Sequence, residues 1–140
     1  MGHDATKVLM GSSRSSVKEV DNRKGTIAAG LRVCLKSDDT ITTAIADGAA
    51  LGISMGGPLV KDLARTAIAR KALALPIQLT ADFTPVIGAQ VNISDTTGKA
   101  GTAGGGFTAV NAVYASGVLT GVMEDASEVS VALIDFIGGL

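Results

Sequence analysis

One short pattern occurs twice in this chain and limits the folds open to it. Gly30-Leu31-Arg32-Val33-Cys34-Leu35 runs into Ser37-Asp38-Asp39-Thr40, and Gly88-Ala89-Gln90-Val91-Asn92-Ile93 runs into Ser94-Asp95-Thr96-Thr97. Both read Gly-x-x-Val-x-Leu/Ile followed by a Ser-Asp turn. A second match lies downstream in each half, Leu51-Gly52-Ile53-Ser54-Met55 and Leu119-Thr120-Gly121-Val122-Met123. From Gly30 to Gly52 is 22 residues and from Gly88 to Gly121 is 33, and the glycine-rich stretch 98–106 accounts for the difference as a loop insertion. Two matches in the same order indicate an internal duplication, with halves at about 25–80 and 81–140 of a single domain spanning 25–140.

The repeated pieces read as strands. Val33-Cys34-Leu35 and Val91-Asn92-Ile93 favour β structure and end in Asp/Ser/Thr turn chemistry. Residues 128–136 alternate, placing Val129, Val131 and Leu133 on one face. Residues 107–114 set Ala109, Asn111 and Val113 against Val110, Ala112 and Tyr114. Leu59, Val60, Leu63, Ala64, Ala67 and Ile68 fall at helical spacing. The repeat instead aligns Ala67-Ile68-Ala69 with the strand at 129–133, so a loop or single helical turn is expected over 59–64 and a strand from about 65. Pro76 places that strand at an edge or a bulge.

Three Phe and one Tyr are the only aromatics, while hydrophobic residues make up 46% of the chain. The core therefore rests on Val, Ile, Leu and Ala. With 18 glycines between short apolar runs, the reading is mainly β: a compact β-barrel or β-tulip built from two related halves. Closure protects strand edges that would otherwise aggregate.

Residues 1–24 read as an extended N-terminal arm. They hold an apolar patch, Val8-Leu9-Met10, among serines and charges. As an arm that orders on a partner, it would offer Val8, Leu9 and Met10 as anchors, with Lys7, Arg14, Arg23 and Lys24 as charge contacts. Residues 73–140 carry one lysine against six carboxylates, net −5, so the first 72 residues carry +4 of the overall −1. Such segregation steers docking. It is too mild, and too poor in aromatics, for nucleic acid, and no apolar run is long enough to span a membrane as a helix.

Chemistry is scarce. His3, the only histidine, lies in the arm, so no histidine-based triad is expected in the fold. Cys34 alone forms no internal disulfide or multi-cysteine metal site; an inert core thiol is the simpler reading, an intermolecular disulfide the other. Asp38-Asp39 and Glu124-Asp125 are adjacent acidic pairs that read as solvated turn carboxylates rather than a calcium site. The stretch 101–106 lacks the Gly-Lys-Ser/Thr and the helix a phosphate loop needs. Arg65, Arg70 and Lys71 form a basic spot suited to solvating an edge or pairing with a neighbouring subunit. Neither cofactor, metal nor enzymatic activity is expected.

Arg65-Thr66-Ala67-Ile68-Ala69-Arg70-Lys71, Leu79-Thr80-Ala81-Asp82-Phe83-Thr84-Pro85 with Gly88-Ala89-Gln90-Val91, and Val131-Ala132-Leu133-Ile134-Asp135-Phe136 resemble the capsid cement, or decoration, proteins of tailed bacteriophages. The resemblance covers about residues 25–140. It implies a β-barrel or β-tulip body on the outer surface of the head, bound to the major capsid protein and bracing capsomer junctions. It also implies a homo-oligomer, a trimer with a dimer as the alternative, made in the host cytoplasm. A reading of a different class is a cellular β-barrel module binding a small ligand or carbohydrate, which the scarcity of aromatics disfavours.

Overall fold

The computed structural model describes residues 7–11, 17–56 and 64–136. In chain order the strands are β1 (Lys7–Leu9), β2 (Val17–Lys24), β3 (Arg32–Leu35), β4 (Ile41–Thr42), β5 (Ala49–Gly56) and β6 (Arg65–Gln78). They continue as β7 (Gln90–Ser94), β8 (Ala100–Gly101), β9 (Phe107–Tyr114), β10 (Leu119–Val122) and β11 (Glu128–Phe136). A single 3-10 turn, Ile45–Asp47, is the only helical element among the described residues. The chain is mainly β, as its strand-and-turn punctuation requires.

The strand order has an internal symmetry. The main path runs β4-β3-β5-β6-β11-β9-β7-β8, which reads the same from either end once β3, β4, β5 and β6 are exchanged for β7, β8, β9 and β11. The repeated Gly-x-x-Val-x-Leu/Ile motif supplies β3 and β7, with Val33 and Val91 both fully buried. The downstream match is corrected. The counterpart of β5 is β9, since each lies between its motif strand and a long strand. Leu119–Val122 is instead an added strand, pairing β11 and β1. The stretch 98–106 is not simply an inserted loop either, because Ala100–Gly101 pairs β7 as Ile41–Thr42 pairs β3. Glycine-spaced apolar runs look alike in sequence; their hydrogen-bonded neighbours tell them apart.

The expected closed barrel is also corrected: the sheet is not closed. Its path ends in β4 and β8, two residues each, too short to build a ladder across the gap. Single bridges, Lys24 to Thr40 and Leu79 to Ala100, draw each half round on itself instead.

β6 joins the halves. Its first part pairs β2 on one flank and β5 on the other, and its second part pairs β11. It begins at Arg65, as the repeat predicts; of the loop or single helical turn expected over 59–64, all but Ala64 lies outside the described residues. Pro76 stands opposite Leu133. Leu133 directs both its main-chain groups away from β6: its N–H donates to Ser116 Oγ and its carbonyl accepts the Ala115 N–H, each at 2.8 Å. Pro76 therefore occupies a pair without ladder hydrogen bonds. Its missing N–H falls on the flank away from β11.

The main core gathers Ile53, Ala69, Leu75, Ile77, Val91, Ile93, Tyr114, Ile134 and Phe136. A second, smaller cluster holds Met10, Ala29 and Val131. β11 serves both, with Ala132, Ile134 and Phe136 facing the first and Val131 the second, and partly buried Val129 packs beside Val131. Arg32 ties the halves together although it is almost wholly buried. Its Nη2 donates to the Thr43 carbonyl at 2.8 Å and its main-chain N–H to the Gly98 carbonyl at 2.9 Å.

Candidate docking surface

The residues expected to form a docking arm are distributed through the fold. The described parts of the arm, 7–11 and 17–24, are strands of the sheet rather than a free extension. β1 pairs in parallel with β10, and β2 runs antiparallel along β6. Alternation explains the split along β1. Val8 packs on the second cluster, Met10 is 7% exposed, and Leu9 points out at 65% exposure. Two glycines border Met10: a Cβ on Gly30 would lie 2.6 Å from its Cε, and one on Gly121 would lie 3.0 Å from its Sδ.

Two of the four charged candidates are paired within the chain. Lys7 Nζ lies 3.0 Å from Glu128 Oε2. Arg23 bridges Asp21 and Asp39 at 3.1 Å each. Lys24 is exposed at the end of β2, and Arg14 lies outside the described residues. The basic spot likewise turns inward on the chain's own strand: Arg70 approaches Asp21 at 4.0 Å and Lys71 approaches Glu19 at 3.8 Å, both across the β2–β6 ladder. Exposed pairs like these contribute little stability.

The acidic pairs are turn carboxylates. Asp38 accepts Thr40 Oγ1 at 2.6 Å and its N–H at 3.1 Å, and Asp125 accepts Ser127 Oγ at 2.5 Å and its N–H at 3.0 Å. The hydroxyl bonds, then the amide bonds, hold both carboxyls below the ordinary range. Cys34 is fully buried, and burial raises its thiol pKa despite the nearby Arg32 guanidinium. That environment suits an inert thiol. No group of three or more His, Cys, Asp or Glu converges among the described residues.

Two features were not read from the sequence. The first is an apolar turn in the β6–β7 connection. Val86 and Ile87 are each 68% exposed. Yet the turn is fastened: Ala89 N–H donates to the Val86 carbonyl, Gly88 N–H to the Tyr114 carbonyl and Tyr114 N–H to the Ala89 carbonyl. Beside it the outer side of the sheet carries exposed Val113 on β9, and Leu73 lies across on β6. Exposed Val118 follows β9. The clue was present in Pro85-Val86-Ile87-Gly88, an apolar pair inside turn chemistry.

The second is a groove of about 470 Å3 between the 26–29 connection and the 123–129 turn, with Met10, Met55 and Gln78 between them. It draws on five separate stretches of chain, so no local pattern announces it. Compared with protein-family models and with curated proteins, the chain matches none.

Proposed function

We propose that this protein is a non-enzymatic structural subunit of a bacteriophage head, a cement protein that binds the outer surface of the major capsid protein shell. One observation carries the reading: a fastened turn presenting Val86 and Ile87 to solvent. Two large apolar side chains held side by side in water favour a docking site. The sequence resemblance supplies the partner. A subunit that binds only the expanded shell stabilises it by mass action, and a homotrimer spanning several capsomers multiplies the effect.

The small-ligand reading has the groove in its favour, whose volume falls within the ~300–1,000 Å3 of ordinary ligand pockets. Its lining argues against that reading. No aromatic lines it, and the Gln78 amide already donates to the Ala29 carbonyl at 2.8 Å. Mixing the purified protein with expanded heads that lack decoration and pelleting them separates the readings. Saturable co-sedimentation supports the cement protein, and protein left wholly in the supernatant refutes it.

A further inference from the structure

The groove differs from the apolar turn in having walls and an unpaired main chain. Met10, Met55 and Met123 all line it, and thioether side chains adapt to irregular apolar partners. One wall is the stretch 26–28, which follows the bend at Gly25 where β2 ends and alternates in exposure. Ile27 is turned inward: its N–H donates to Thr66 Oγ1 at 3.1 Å, and its carbonyl accepts Ser54 Oγ at 3.0 Å. Thr26 and Ala28 are exposed, and their main-chain groups bond to nothing among the described residues. A stretch whose alternate residues leave main-chain groups free is a template for an added strand.

The opposite wall is the turn between β10 and β11. It sets the exposed carboxylates of Glu124 and Asp125 at the lip, and among the described residues no Lys, Arg or His lines the groove. The lip is therefore negative, and it complements a cation.

We infer that the groove takes an extended apolar segment of a partner protein that carries a lysine or arginine. The segment lies as an added strand along 26–28, its apolar side chains on the methionines and its cation beside Glu124 and Asp125. The inference rests on the groove alone and holds whatever assembly the protein serves.

The full chain, labelled at the methionine methyl groups, is titrated at low salt with a terminally blocked octapeptide alternating valine and lysine. A parallel titration uses the same peptide with glutamate for lysine. The lysine peptide is expected to shift the Met10, Met55 and Met123 methyl signals saturably and to bind about tenfold more tightly than the glutamate peptide. Glu124→Lys combined with Asp125→Asn, which keeps an oxygen to accept the Ser127 hydrogen bonds, should abolish or invert that preference. Methyl signals unmoved by either peptide would overturn the inference. So would equal affinity for the two peptides, or an unchanged preference in the double variant. Shifts that follow the protein's own concentration would also overturn it by placing a second copy in the groove. None of these outcomes bears on head binding, which the pelleting experiment reads separately.

Discussion

The Asp135 carboxylate accepts the main-chain N–H of Ala74 at 2.7 Å, across the one irregularity in the β6–β11 ladder. Ala74 has a φ of 54°, a left-handed conformation that costs an L-residue about 1–2 kcal/mol. The ladder skips from the Ile134–Leu75 pair to the Phe136–Ala72 pair, and Asp135 holds the bulge between them. Ala74→Gly is expected to raise the unfolding free energy by up to about 1 kcal/mol. Asp135→Ala should lower it by about 1 kcal/mol, since the bond is solvent-exposed. Urea denaturation of the two variants checks both signs.

Residues 9 and 10 are neighbours with opposite fates. Met10→Ala empties part of the second core cluster and should cost about 2–3 kcal/mol. Leu9→Ala removes an exposed side chain and should stay within about 0.5 kcal/mol. Equal losses in thermal or urea unfolding would contradict the strand alternation assigned to β1.

These neighbours also show what sequence reading can reach. The motif strands, the alternation of β9 and the start of β6 at Arg65 followed from periodicity and repetition, which are local. The Val8-Leu9-Met10 patch was recognised as apolar, but its partner strand β10 lies more than a hundred residues away, so it read as a free arm. The match of 51–55 to 119–123 failed for the same reason, because pairing neighbours are not encoded in a five-residue pattern. The Met-lined groove was illegible, since five distant segments build it.

Arg32 tests the link between the halves, because its Nη2 also donates to the Asp95 carbonyl at 3.4 Å. Its Nε and Nη1 are buried without a partner among the described residues, so the side chain carries a desolvation cost as well as its bond to Thr43. Arg32→Ala leaves a cavity and strips that carbonyl, and should cost about 3 kcal/mol. Arg32→Met keeps most of the volume and removes the buried charge, so a distinctly smaller loss is expected. Chemical denaturation ranks the two.

Alkaline pH reports on Tyr114. Its hydroxyl is buried without a partner among the described residues, and burial pushes the phenol from the ordinary value of 10.0 to about 12. Between those values the unfolded chain has lost the proton and the folded chain keeps it. Stability is therefore full below about pH 10 and falls as pH rises towards about 12. Cys34, also raised by burial, adds a loss of the same sign that begins lower. Tyr114→Phe should flatten the upper part of the decline and leave neutral-pH stability equal or slightly higher. Denaturation midpoints measured from pH 8 to 12 on the wild type and this variant give the comparison.

The docking turn offers the most direct test of the account. Val86→Asp with Ile87→Asp places two charges on side chains that are each 68% exposed in the folded chain, so the fold should survive with unchanged circular dichroism. Co-sedimentation with expanded phage heads is the measurement. The account predicts saturable occupancy for the wild type and a loss of at least about tenfold in affinity for the double variant. Wild-type protein that ignores the heads, or a double variant that occupies them equally well, would contradict it.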